Sequence, residues 1–187
     1  MKILAKYQSL CNTSSDINEL LPLLALYASR CSHITEMGVR GVVSTYAFLA
    51  TRPDKLISYD IGTHPNVLEC AEQCVRENQH WQFIEADVLN VSIEPTDFLF
   101  IDTFHTASQL QSELHLHADK VKKFIAFHDT TTYWEKGEDS YEAVAHNQKN
   151  CGRGLRHAIE PFLAAHPEWQ LELRAYNNNG LSIISRK

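Results

Sequence analysis

Acidic side chains recur at one kind of place in this sequence. SHITEMG carries Glu36 just before Gly38, KLISYD ends in Asp60, WQFIEAD in Asp87, DFLFID in Asp102, and FIAFHD in His128 and Asp129. Each stretch reads as a short apolar strand running out at a carboxylate. One acid at such a place is ordinarily a turn former. A series of them along one sheet edge would repel one another unless bound partners separate them. The array is therefore suited to accept hydrogen bonds from a polar ligand, or to hold a cation. Asp102 and Asp129 offer the oxygen ligands that Mg²⁺ prefers. His128 is a softer nitrogen donor that suits Mn²⁺, Fe²⁺ or Zn²⁺. The competing reading is a polar strand end, with Asp129 capping a turn through Thr131 and His128 hydrogen-bonded in the core. His105 stands three residues after Asp102, before a helix. There it would act as a general base, its pKa lowered by the helix N-terminus, or complete a metal site, or be a surface loop residue. His115 and His117, on the following helix, read as surface.

The elements that must position these groups alternate. Helices are expected over 16–30, restarted at Pro22, over Ser44–Leu49 with Ser44 as cap, from Pro65 onward, over Thr106–Lys120, and over 152–165. Strands are expected at 32–37, 55–60, 81–87, 97–102, 124–129, 169–176 and 181–187. Short apolar strands separated by helices imply parallel βαβ units with helices on both faces. The last two strands are joined only by Asn177-Asn178-Asn179-Gly180, too short for a parallel crossover, so the final strand should run antiparallel. The expectation is one α/β domain over 1–187, with a Rossmann-like, mostly parallel seven-stranded sheet and an antiparallel C-terminal hairpin strand. In such sheets ligands bind at the carboxyl ends of the strands, where the acids fall.

EMGVRGVVST resembles the first motif of a class I S-adenosylmethionine-dependent methyltransferase. IDTFH and FHDT resemble the patterns IDG-x-H and HDT of the branch that includes cephalosporin hydroxylase-like and sugar O-methyltransferase-like proteins. GRGLRHAIEPFL, PEW and NNNGLSII look like the same branch, so the resemblance spans nearly the whole chain. It implies S-adenosylmethionine as cofactor. Gly38 would lie by its methionine end, with Glu36 shaping that loop or meeting the amino group. Asp60 would accept from the ribose hydroxyls. Asp87 would sit beside the adenine amino group, with Val88 against the ring. Ser44 and Thr45 at a helix start would suit a carboxylate. The family has glycine where this chain has Val42, and Gly41 next door would take its place by a one-residue shift. Asp102 would serve cofactor, cation and catalysis, and His105 catalysis. The implied reaction is methylation of a hydroxyl on a small molecule or sugar, assisted by Mg²⁺ or Mn²⁺. The cephalosporin hydroxylase-like name implies no oxygenase chemistry, since no two-histidine, one-carboxylate set for iron is evident in the spacing.

Composition narrows the alternatives. The net charge is −6 and no basic run exceeds Lys120, Lys122 and Lys123, which argues against an extended nucleic-acid partner. No apolar run approaches the roughly 20 residues of a membrane span. The N-terminus makes a poor signal peptide, and five cysteines without a CxxC pair fit reduced thiols in the cytoplasm. Two other functions stay open. A nicotinamide-dependent oxidoreductase is disfavoured by the missing GxGxxG and the hairpin. A non-catalytic S-adenosylmethionine-binding domain draws on Val42 and on the short chain. The acceptor pocket is expected to begin at 130–151, with Tyr133 and Trp134 as walls or as loop packing, and a homo-oligomer would let a neighbouring subunit complete it. Arg153 and Arg156 read chiefly as surface charge, with an anionic acceptor as their other use.

Overall fold

The structure, a computed structural model, describes residues 2–138 and 152–187. Its seven strands are β1 His33–Met37, β2 Lys55–Asp60, β3 Trp81–Glu85, β4 Thr96–Ile101, β5 Val121–His128, β6 Trp169–Ala175 and β7 Leu181–Arg186. They form one sheet in the order β3-β2-β1-β4-β5-β7-β6. The first five strands pair in parallel, and β7 runs antiparallel to both β5 and β6. This is the sheet expected from the sequence, hairpin included.

Alternation along the strands builds two cores. Phe98 and Phe100 of β4 face one side, with Ile34, Leu56, Phe124 and Ala126. Leu99 and Ile101 face the other, with Ile57, Ile125 and Phe127. The first side is covered by α1 Lys2–Cys11, α2 Leu21–Ala28, α3 Val43–Ala50 and α4 Asn66–Arg76. The second is covered by α5 Ala107–His117 and α6 Arg156–Ala165. Burial on both faces explains why the central strands are continuous apolar runs. Phe48 of α3 meets Phe98 and Phe100 edge-on, with ring centroids 5.8 and 5.5 Å apart. Among the described residues no helix is long and apolar enough to cross a membrane.

Several expected boundaries move. Helix α1 was not foreseen, and the helix expected over 16–30 is confined to Leu21–Ala28. β5 starts at Val121, because Lys122 and Lys123 are exposed at the sheet's lower end without breaking the ladder. β3 stops at Glu85, and Asp87 lies beyond it as the cap of a 3₁₀ turn, accepting from the Leu89 amide at 2.9 Å. The helix expected from 152 begins at Arg156. Of the expected acceptor segment, residues 139–151 lie outside the described residues.

Candidate functional site

The strand ends divide into two neighbourhoods. At the first, β1 passes into a tight loop. Gly38 has φ +87°, and a Cβ there would stand 2.0 Å from the Asp102 carbonyl oxygen and 3.3 Å from the Thr103 nitrogen. Only glycine allows the ends of β1 and β4 to approach so closely. Asp60, at the end of β2, shapes the same loop. Its Oδ2 accepts from the amides of Val39 at 2.7 Å and Arg40 at 2.8 Å, and its Oδ1 from Gly62 at 3.1 Å. A carboxylate has about four acceptor positions, so these three bonds leave little of it for a ribose. Glu36 is fully buried beneath the loop. Its Oε1 accepts from Ser44 at 2.6 Å, and its Oε2 from Thr45 at 2.8 Å and Ser58 at 2.6 Å. Burial pushes the Glu36 carboxyl up to about 7, against the three hydroxyls that favour its charge.

The loop does not shift to use Gly41. Arg40 and Val42 take the left-handed backbone at φ +41° and +68°, while Gly41 does not. A β-branched residue is strained there. Val42 is wholly buried, which holds it in place, and it rather than Ser44 stands at the cap position of α3. Ser44 lies within the first turn of α3, after Val43, and its hydroxyl donates to Glu36.

At the second neighbourhood, charged groups face one another. Asp102 follows β4, and Asp129 follows β5 with φ +59°, a conformation aspartate tolerates better than most residues. His105 Nε2 lies 2.9 Å from Asp129 Oδ2 and 3.3 Å from Asp102 Oδ1, and its Nδ1 lies 2.9 Å from Glu138 Oε2. Its ring stacks on Tyr133, centroids 4.8 Å apart. His128 is buried, with Nδ1 3.2 Å from Asp102 Oδ1 and 3.3 Å from Asp129 Oδ2. Burial opposes every one of these charges. The carboxylates nevertheless outweigh it and push His105 up to about 12 and His128 up to about 10. In return, hydrogen bonds from His105 and His128 hold Asp102 down at about 2 and hold Asp129 lower still. The three carboxylates around the ring thus push His105 upward, opposite to the lowering expected from a helix N-terminus.

Asp102, His128 and Asp129 present one ligand atom each within 4.8 Å of one another. Asp129 Oδ1 is buried and has no hydrogen-bond partner among the described residues. A buried carboxylate oxygen beside two further donors has the chemistry to ligate a divalent cation.

The sequence separated these groups into strand ends correctly, but spacing did not reveal that His105 and His128 share the same two carboxylates. Two other groups were missed. Glu113 of α5 is fully buried, and its Oε1 accepts from Thr103 at 2.5 Å and Gln109 at 2.9 Å. His117, expected on the surface, is fully buried with Nε2 2.9 Å from the Val88 carbonyl. The i, i+4 spacing of Glu113 and His117, both toward the sheet, was the available signal. His115 is exposed as expected, and Asp87 is exposed above the buried Val88. Arg156 is taken up by Glu135 and Glu160. Trp134 packs under the Arg174 guanidinium, 3.5 Å from its ring centroid.

No family model matches the chain, and no curated protein matches it. Solved structures do. A Podospora anserina methyltransferase bound to S-adenosylhomocysteine superposes with a TM-score of 0.64 at 14% identity, covering 100% of this chain and 88% of that one. An O-methyltransferase from Bacillus cereus, also with S-adenosylhomocysteine, gives 0.61 at 16% identity over 100% and 91%. The N-methyltransferase NodS from Bradyrhizobium japonicum with the same ligand gives 0.61 at 15% over 97% and 98%. The order of strands, the antiparallel β7 and these superpositions agree, and this chain has the fold of the class I S-adenosylmethionine-dependent methyltransferases.

Proposed function

We propose that the protein is an S-adenosylmethionine-dependent O-methyltransferase for a hydroxyl on a small molecule or sugar, assisted by a divalent cation. The observation that carries this reading is the convergence of Asp102, His128 and Asp129 beside the Gly38 crossing of β1 and β4. The cofactor would lie over the ends of β1 to β3, against Gly38, Asp60, Asp87 and Val88, with Asp102 at the border of the two neighbourhoods. Glu36, Gly41, Ser44 and Thr45 then act by shaping the loop that carries it.

When bound at Asp102, His128 and Asp129, Mg²⁺ or Mn²⁺ would stabilise the alkoxide of an acceptor. The remaining work belongs to alignment. An acceptor oxygen must meet the methyl carbon opposite its sulfur; the O–C bond forms as the C–S bond breaks, and the electron pair leaves on sulfur. The acceptor's proton departs to solvent or a neighbouring base. His105, with both nitrogens on carboxylates, is better suited to hold the charges of the site together than to take that proton. Tyr133, stacked on His105, would form part of the acceptor wall.

Calorimetry with S-adenosylmethionine, with and without Mg²⁺ or Mn²⁺, tests the reading; no binding in any condition would sink it. Asp60→Ala should weaken the cofactor by about 10-fold or more, through loss of the loop's three amide contacts, and Asp102→Ala by much less. Equal losses would contradict the division of the edge. Methyl transfer to catechols and hydroxylated sugars separates an enzyme from a domain that only binds.

A further inference from the structure

We propose that Asn178, together with the carbonyl of Asp16, is a positioning device that presents Nδ1 of His128 to the cation site. The proposal rests on the cation reading above. The Nε2 of His128 lies 3.2 Å from the Asp16 carbonyl oxygen and 3.1 Å from the Asn178 carbonyl oxygen. Carbonyls only accept, so Nε2 must carry the hydrogen whatever the other nitrogen does. The nitrogen left to serve a cation is therefore Nδ1, which faces Asp102 and Asp129, and a cation would bind there by displacing the proton that Nδ1 shares with those carboxylates to solvent. Partners of this kind fix ring orientation and ligand basicity at metal sites.

Asn178 governs both carbonyls. One is its own. The other sits on the loop before α2, which the Asn178 side chain pins: Oδ1 accepts from the Glu19 amide at 2.5 Å, and Nδ2 donates to the Ser15 carbonyl at 3.3 Å. Its φ of +45° is one that asparagine tolerates. The turn itself is seated on the chain that follows Asp129. The Asn179 carbonyl accepts from the Thr131 and Thr132 amides at 2.7 and 3.1 Å. Gly180, at φ +95°, leaves no room for a Cβ, which would meet Thr131 Oγ1 at 2.3 Å. The C-terminal hairpin thus reaches back to set a ligand on β5 and the backbone next to another. The result favours a divalent ion that accepts nitrogen, such as Mn²⁺ or Zn²⁺, over Ca²⁺.

Asn178→Gly removes the side-chain staple while keeping the backbone angle. Calorimetric titration with Mn²⁺ should show affinity falling about 10- to 100-fold, with S-adenosylmethionine affinity changed by less than about threefold. In a His128→Asn background the same substitution should cause no further loss, because its effect runs through the ring. Unchanged Mn²⁺ affinity in Asn178→Gly, or an equal loss without His128, overturns the proposal. Wild-type protein that binds no divalent ion sinks the cation reading instead. In that case long-range ¹H–¹⁵N spectra of the metal-free protein decide: a slowly exchanging Nε2 proton on His128, lost in Asn178→Gly, upholds the positioning role, and identical spectra end it.

Discussion

The ends of β1 and β2 and the ends of β4 and β5 carry similar numbers of polar groups, but the two sets are satisfied in different ways. Glu36 and Asp60 are bound by hydroxyls and backbone amides from their own neighbourhood. Asp102 and Asp129 are bound by two histidines that both need them, and one oxygen of Asp129 has no hydrogen-bond partner among the described residues. Acids of the first kind define a loop; acids of the second kind hold opposite charges in a cluster that a cation can join. A carboxylate at a strand end is therefore informative only once its hydrogen-bond partners are known.

The seam between the two regions is Gly38, and breaking it should have the largest effect. Gly38→Ala would drive a Cβ into the Asp102 backbone and force alanine to φ +87°. The strain and overpacking together should cost about 3 kcal/mol or more, lowering the melting temperature by about 6–12 °C in a chain of this size. A melting scan that moves by only a degree or two would show that the strand ends can part, and the two regions would then be independent. Next in size is the charge of the second region. Asp129→Asn keeps a residue that tolerates φ +59° and removes the carboxylate that His105 and His128 share. Mn²⁺ affinity should fall about 100-fold, since one of the two charged ligands is lost, while cofactor affinity stays within about threefold. A comparable loss of cofactor binding would erase the distinction between the regions.

How much of this was legible in the sequence follows from which interactions are local. The strands, the antiparallel hairpin and the edge on which the acids fall could be read from apolar runs and one Asn-Gly turn. These are patterns within a few residues, and the fold depends on little else. Helix α1 was missed although Ile3, Tyr7, Leu10 and Cys11 recur at helical spacing and pack against the core, because polar residues interrupt the run and only Ile3 is fully buried. The partners of the acids were not legible, because they come from far along the chain. Asp60 finds Val39 and Arg40, Glu36 finds Ser58, and His128 finds Asp16 and Asn178. The Asn177–Gly180 turn was readable as a turn, but not as the support of a histidine 50 residues before it in the chain. The family's missing glycine was legible as an oddity at Val42. Only packing showed that burial, rather than a shift to Gly41, accommodates it.

The smallest predicted effect concerns the first region, and it separates a structural carboxyl from a ligand-binding one by pH. Burial raises the folded Glu36 carboxyl from 4.5 to about 7, with Ser44, Ser58 and Thr45 opposing. Below the unfolded value both states hold the proton and the stability it confers is fully present. As pH rises from about 4.5 the unfolded chain ionises first, and stability falls until the folded carboxyl ionises near 7. At about 1.36 kcal/mol per unit the shift amounts to about 3 kcal/mol at most. Glu36→Gln stays neutral and keeps an acceptor and a donor for the surrounding hydroxyls. Its denaturation midpoints should decline less steeply than wild type between pH 4.5 and 7, leaving it about 1–2 kcal/mol more stable at pH 8 once imperfect hydrogen bonding is allowed for. Glu113, raised in the same way to about 7, is untouched by the substitution, so the variant should retain part of the slope. If Glu36 instead serves a bound cofactor directly, the gain in stability would come with a large loss of S-adenosylmethionine affinity. If it only braces α3 against β1 and β2, affinity should survive the change.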